Sequence, residues 1–357
     1  MRMMRSDYMH WAKFKEPVRY QLTGSEVPHF RMDWLPIGLA DLELDGASHP
    51  RYHRLREMVA GRYGVLVDQV VAADGTSMAN FLAMAALLSP GDEILVECPT
   101  YELLLGAASF LGAKIRRFER KAEDAFGLDA GRVRDAMSDR TRLIIITNLH
   151  NPSSALASED ELRSIGDLAA SVGARVLVDE VYLDSAVPPQ RSAAHLGAAF
   201  VCTNSLTKVY GLSGLRCGWI LAEPQLAERM WRLNDLFGVN QAHPAERLAC
   251  IAFEHIDEVI GDTRAILERN RKQWNDFVSS RNDIDCMPAA HGITAFPRWT
   301  GGDTEQLDAR LRDRYEAAVV PGRWFEMAEH FRIGFGLDAD TFKVALNRLA
   351  LALDDLR

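Results

Sequence analysis

Between residues 52 and 221 the hydrophobic positions come in short runs separated by stretches of helical length. Gln69–Ala73, Glu93–Glu97, Lys114–Phe118, Leu143–Thr147, Arg175–Val178, Ala199–Thr203 and Gly218–Leu221 are each rich in Val, Ile, Leu or Ala and read as strands. Arg54–Tyr63, the stretch from Asp74-Gly75 through Leu87, Tyr101–Leu111 and Glu159–Val172 read as helices. Apolar runs alternating with helices predict an α/β unit with a mainly parallel, seven-stranded type of sheet, covered on both faces. Ligands of such sheets bind beyond the carboxyl ends of the strands.

The pattern changes near Asn240–Pro244, where a hinge is expected. Beyond it, Ala245–Arg281 and Asp303–Ala317 read as long amphipathic helices, with short strands near Ile293–Phe296 and Phe331–Phe335. This predicts a smaller α+β domain over residues 241–357, after a large domain over 45–240. Residues 1–44 are irregular, aromatic and punctuated by Pro17, Pro28 and Pro36, and read as an arm belonging partly to the smaller domain.

Composition narrows the function classes. With 357 residues and 48% hydrophobic content the chain can bury two cores. A net charge of −9 argues against nucleic acid and anionic membranes as partners. No apolar run approaches the ~18–20 residues of a membrane span, and none near the first residue has signal-peptide form. The five cysteines are scattered and lack a C-x-x-C pair, so neither a disulfide framework nor a zinc site is expected, and no other metal site is read. A reducing, cytoplasmic setting follows.

The sharpest local motif is Ser205-Leu206-Thr207-Lys208-Val209-Tyr210-Gly211, continuing through Gly214, Arg216 and Gly218. A partly desolvated lysine amine condenses with an aldehyde. Ser205 and Arg216 suit a phosphate, and glycines let the backbone approach closely. Alone, this stretch is also compatible with an ordinary charged loop. Asp74-Gly75-Thr76-Ser77 follows a strand and opens a helix, where backbone N–H groups bind phosphate.

The motif resembles the lysine segment of the fold-type I pyridoxal-phosphate (PLP) enzymes, the aspartate aminotransferase superfamily of class I/II aminotransferases. Further matches follow in the family's chain order from about Tyr52 to Phe335. The resemblance implies that Lys208 holds PLP as a Schiff base and moves the substrate's α-proton. It implies that Asp179, in Val176-Leu177-Val178-Asp179-Glu180-Val181-Tyr182, pairs with the pyridine nitrogen. Tyr182 and Asn151 would reach the ring's phenolic oxygen, Tyr101 would stack on the ring, and Thr76, Ser77, Ser205 and Arg216 would form the phosphate cup. Arg332, in Phe331-Arg332-Ile333-Gly334-Phe335, would fork onto the substrate carboxylate, with Gly24 packing over the substrate. Val319-Val320-Pro321-Gly322 supports this alignment.

The expected activity is transamination between an L-amino acid and a 2-oxo acid by a homodimer. Alternatives are a PLP-dependent lyase or an oxidative or cyclising enzyme, and a non-catalytic PLP-fold module. Ser154 stands where the family has Gly, which bears on the turn after Pro152. The family's intersubunit tyrosine falls at Gly46 or a near neighbour, with His49 or Tyr52 as candidate substitutes. Tyr8–Lys13 either lines the substrate entrance or is a packing arm. Glu26 either favours a basic substrate side chain or is an exposed loop carboxylate. A nucleotide-binding Rossmann enzyme lacks its G-x-G-x-x-G signal.

Overall fold

The computed structural model describes residues 4–28 and 35–357. The expectations for residues 1–3 and 29–34 lie outside the described residues. In chain order the elements begin with α1 (Asp7–Phe14) and β1 (Tyr20–Gln21), followed by α2 (His53–Tyr63), β2 (Val70–Asp74) and α3 (Gly75–Leu87). Next come β3 (Glu93–Cys98), α4 (Glu102–Phe110), β4 (Lys114–Glu119), α5 (Ala130–Ala136), β5 (Thr141–Thr147) and α6 (Glu159–Ser171). Then follow β6 (Arg175–Asp179), β7 (Phe200–Ser205), β8 (Cys217–Leu221), α7 (Pro224–Asn234), α8 (His243–Glu254) and α9 (Ile256–Ser279). The last third holds β9 (Ile284–Asp285), β10 (Thr294–Ala295), β11 (Arg298–Trp299), α10 (Thr304–Tyr315), β12 (Ala317–Ala318), β13 (Val320–Pro321), β14 (Phe331–Gly334) and α11 (Ala339–Asp355).

A seven-stranded sheet in the order β2-β8-β7-β6-β5-β3-β4 forms the centre. The strands from β7 to β4 pair in parallel, and β8 runs against both its neighbours. The apolar runs explain this burial: every residue of β7 and β8 is buried, as is nearly all of β5 and β6. Helices cover the faces. α6 starts at a capping box, Ser158 with Glu161, and turns Leu162, Ile165 and Ala169 inward.

Buried side chains form a large core around this sheet and a second one built by α9, α10, α11, β14 and the segment 20–27. The long helix expected over Ala245–Arg281 is instead two helices that meet at His255. The break has a packing cause. Phe253, Ile256 and Ile260 face the first core, whereas Leu267 and Trp274 face the second. The segment read as an irregular arm contains α1, capped by Ser6, whose hydroxyl accepts from the Met9 N–H. The terminal α11, whose buried face runs from Phe342 to Leu353, is a further helix that the sequence reading did not single out.

One ion pair ties the sheet's carboxyl edge together. Glu97 and Arg120 have fully buried side chains, with Arg120 Nη1 2.8 Å from Glu97 Oε2. The other oxygen of Glu97 accepts from the Thr147 N–H and hydroxyl at 2.7 and 2.6 Å. Arg120→Met would leave that carboxylate buried without its cation. We expect the unfolding free energy, measured by urea denaturation, to fall by roughly 3–5 kcal/mol.

Candidate active site

Beyond the carboxyl ends of the central strands lies a cavity of about 830 Å³. Its walls include Lys208, Thr76, Ser77, Tyr101, Asn151, Asp179, Tyr182, Ser205, Arg216, Arg332 and Gly24. Every site residue read from the sequence therefore faces one space, although these positions span more than 300 residues.

At one end, β2 runs directly into α3. Asp74 is the helix cap but its side chain makes no capping hydrogen bond, so the first N–H groups of α3 are left for another acceptor. Thr76 donates its hydroxyl to Ser205 Oγ at 2.8 Å. Arg216, in the left-handed region at φ 48°, reaches back to donate to the Asp74 carbonyl at 3.0 Å. Gly75 has φ 78°, and a Cβ there would collide with the Arg216 guanidinium. Gly218 is equally constrained, since its Cβ would come within 2.6 Å of the Gly75 carbonyl carbon. Hydroxyls, free helix N–H groups and a guanidinium thus converge on an anion-sized cup.

In the middle, Asp179 ends β6 and is buried. Its Oδ2 accepts from Asn80 Nδ2 at 2.7 Å, and its Oδ1 accepts from the Val181 N–H at 3.1 Å. Asn80 is itself oriented by Thr203, whose hydroxyl donates to Asn80 Oδ1 at 2.6 Å. Burial pushes the Asp179 carboxyl up to about 6, against the lowering effect of these hydrogen bonds. Such a carboxylate suits a cationic ring nitrogen. Asn151 donates to the Tyr182 hydroxyl at 3.4 Å, and burial raises that phenol to about 12. Tyr101 is a cavity wall at the start of α4, with its hydroxyl 3.1 Å from Met9 Sδ.

Lys208 lines the cavity, its side chain 30% exposed. Burial lowers its pKa, reinforced by Arg332 and Arg216 and opposed by Glu26, so the neutral, nucleophilic amine becomes easier to reach. At the far end, Arg332 is 1% exposed. It donates to Asn151 Oδ1 at 3.2 Å, the Tyr8 hydroxyl at 3.0 Å and the Thr23 carbonyl at 3.3 Å. Its Nε has no partner, and among the described residues no carboxylate pairs with it. A buried guanidinium without a counter-ion is fitted to an incoming carboxylate.

Several groups here escaped the sequence reading. Asn80 and Thr203 carried no motif, and Tyr8 reaches Arg332 across 324 positions. The Tyr8–Lys13 stretch lines the cavity through Tyr8, Met9, Ala12 and Lys13, and also packs through Tyr8 against Phe325. Ser154 keeps the left-handed turn of the usual glycine, with φ 63°, and anchors it by donating to the Thr294 carbonyl at 2.8 Å. Tyr52 accepts from Arg247 at 3.0 Å and His49 lies against His243. Glu26, weighed as an exposed loop carboxylate, is a half-buried cavity residue.

The residues fit pyridoxal phosphate: an anion cup, a carboxylate for a ring nitrogen, donors for a phenolic oxygen and an amine for an aldehyde all line this one cavity. Comparison with known proteins agrees. Residues 46–349 match the family described as aminotransferase class I and II. Capreomycidine synthase of Streptomyces vinaceus is 36% identical over 287 residues, 79% of this chain and 74% of that protein. The arginine–pyruvate transaminase AruH of Pseudomonas aeruginosa is 27% identical over 328 residues, 85% of this chain and 80% of that one. A crystal structure of a PLP-dependent aminotransferase from Streptococcus suis superimposes with a TM-score of 0.93, covering 100% of this chain and 99% of that one at 23% identity.

Asp179 makes a pH-dependent contribution to stability. Its folded pKa lies above the ordinary aspartate value, so its contribution is present at acidic pH and lost as pH rises from about 4 through 6. We therefore expect Asp179→Asn to gain stability relative to the wild-type apoprotein, by on the order of 2–3 kcal/mol, as pH rises from 4 to 7. Denaturant midpoints of both proteins across that range check this; a difference that does not change with pH contradicts it.

Proposed function

The chain belongs to the aminotransferase class I and II family of PLP-dependent enzymes, and from that premise we propose that it transfers the amino group of an L-amino acid to a 2-oxo acid. The observation that carries the reading is the buried, carboxylate-free Arg332 in the same cavity as Lys208. One group seeks a substrate carboxylate, and the other is an amine suited to proton transfer at the adjacent Cα. Pyridoxal phosphate, when bound, supplies an aldehyde for amines and an electron-withdrawing ring.

The chain's own groups divide the work. The α3 N-terminus, with Thr76, Ser77, Ser205 and Arg216, holds the phosphate. Asp179 keeps a proton on the ring nitrogen, while Asn80 and Val181 fix the carboxylate's orientation. Asn151 and Tyr182 would donate to the phenolic oxygen, and Tyr101, a wall of the cavity, would bound the ring. Arg332 holds the substrate's α-carboxylate and Gly24 bounds the space beside it. Lys208 Nζ would hold the cofactor through its aldehyde and, when free, would take the substrate's α-proton and return it. The proposal includes a homodimer, supported by the exposed apolar side chains Leu39, Leu44, Leu236, Phe237 and Val239.

A second reading, a lyase or cyclising reaction on an amino acid, is favoured by the 36% identity to a protein named as a synthase. Both start with the same proton transfer, so product analysis separates them. Purified holoenzyme incubated with amino acids, with and without pyruvate or 2-oxoglutarate, should form a new amino acid only when the 2-oxo acid is present. Formation of the same product without the acceptor contradicts transamination and supports the second reading. Lys208→Ala should lose the covalently held cofactor absorbance and slow turnover by roughly 10²–10⁴-fold. Retention of full activity would return the chain to a non-catalytic role for this cavity.

Arg332→Lys keeps a charge but removes the fork. We expect the KM for the amino acid to rise by roughly ten- to a hundredfold with a smaller change in kcat. An unchanged KM would show that the carboxylate is held elsewhere.

A further inference from the structure

Glu26 and Asp179 are the two carboxylates in the described lining of the cavity. Asp179 has both oxygens engaged by Asn80 and Val181. Glu26 faces one cation, the Lys208 ammonium, with Nζ 3.7 Å from Oε2. The backbone fixes this contact, because the Val27 N–H donates to the Lys208 carbonyl at 3.1 Å. Glu26 also cannot withdraw easily on its own segment: the space beside Gly336 where a Cβ would sit is filled by the Glu26 carbonyl.

This pairing is temporary under the function proposed above, on which the inference rests. In the holoenzyme that an incoming amino acid meets, Lys208 Nζ would be committed to the cofactor, and on release it would return as the neutral amine that takes the α-proton, so that at neither point would it offer Glu26 the free ammonium. A half-buried carboxylate then faces the substrate space without its cation, and a substrate that brings one regains a charge-assisted hydrogen bond. The segment carrying Glu26 lines the cavity from Thr23 to Glu26. The Thr23 carbonyl accepts from Arg332, the carboxylate-binding end, and Glu26 lies beside Lys208, the reacting end.

Other charges near the cavity must be weighed. Lys15 packs its ammonium 4.3 Å from the Trp11 ring centroid, and burial lowers its pKa to about 8. Arg332, Arg312 and Asp308 are the charged groups that bear on it. Lys15 therefore belongs to the Arg332 end, where the α-carboxylate is held. Lys13 is exposed at the rim. On the Lys208 side Arg216 donates to the Asp74 carbonyl and Asp179 is engaged by Asn80 and Val181, which leaves Glu26 as the carboxylate paired with Lys208.

We infer that Glu26 selects L-amino acids carrying a cationic side chain, a guanidinium or an ammonium on a chain long enough to reach from Cα to Glu26. The test is titration of holoenzyme with L-arginine, L-lysine, L-norleucine and L-glutamate, read by the absorbance change of the bound cofactor and by calorimetry. Arginine or lysine should bind about ten- to a hundredfold tighter than norleucine, with glutamate weakest. Glu26→Gln should collapse the cationic-to-norleucine ratio towards one, and Glu26→Lys should invert the order in favour of glutamate.

A ratio unchanged by Glu26→Gln overturns the inference. So does an equal loss for arginine and norleucine, which would place Glu26 in the service of Lys208 alone. Binding of norleucine and glutamate in preference to arginine also overturns it, while leaving the proposed amino-acid chemistry standing. Absence of any spectral response to all four amino acids overturns both.

Discussion

A carboxylate kept out of water at the end of β6 is the constraint around which the site is organised. Asp179 can remain a carboxylate there only if hydrogen bonds and a cation offset its desolvation. The sheet supplies the setting through register: Thr147, Asp179 and Thr203 lie side by side across β5, β6 and β7. One neighbour orients Asn80 against Asp179, and the other is held by Glu97 and supports the Asn151 N–H. The apolar strands matter to chemistry for this reason. Their burial on both faces fixes a register in which three polar side chains meet at one edge.

The central strands were legible because strands covered on both faces must be almost wholly apolar, and such runs stand out from the helices between them. The phosphate cup and Lys208 were legible because glycine and hydroxyl residues at fixed spacing have a stereochemical reason. What stayed hidden depends on contacts across the chain. Asn80 lies in a helix one turn beyond Thr76, and only the approach of β6 gives its amide a task. The Glu97–Arg120 pair has no local signature, because its members lie 23 positions apart and only their common burial sets them together. In α1, Ser6 and Asp7 form a standard helix start, but the aromatic and Pro-punctuated surroundings masked it. The division of α8 and α9 was also invisible locally, since amphipathic spacing continues through a point where the face to be buried changes direction.

The two cores divide the reacting groups between them, and this gives the site its final constraint. Lys208, Asp179 and the phosphate cup stand on the sheet of the first core. Arg332 stands on β14, within the second. The Gly24 wall belongs with Arg332: the Gly334 N–H donates to the Leu22 carbonyl at 2.8 Å, and the Gly24 carbonyl fills the space a Gly334 Cβ would need. The Gly24 segment is thus hydrogen-bonded to the strand that carries Arg332, whereas Lys208 follows β7 of the central sheet.

The joint between these pieces runs through the site itself. Leu149 and Tyr182 sit on loops at the sheet's carboxyl edge, yet their side chains pack in the second core. Asn151, on one of those loops, accepts from Arg332 and donates to Tyr182. Under the proposed function, a substrate carboxylate that engaged Arg332 would therefore act on the groups assigned to the cofactor's phenolic oxygen. Under that proposal, recognition of the acid end and tuning of the reacting end share one short chain of hydrogen bonds, because residues of both cores line the same cavity.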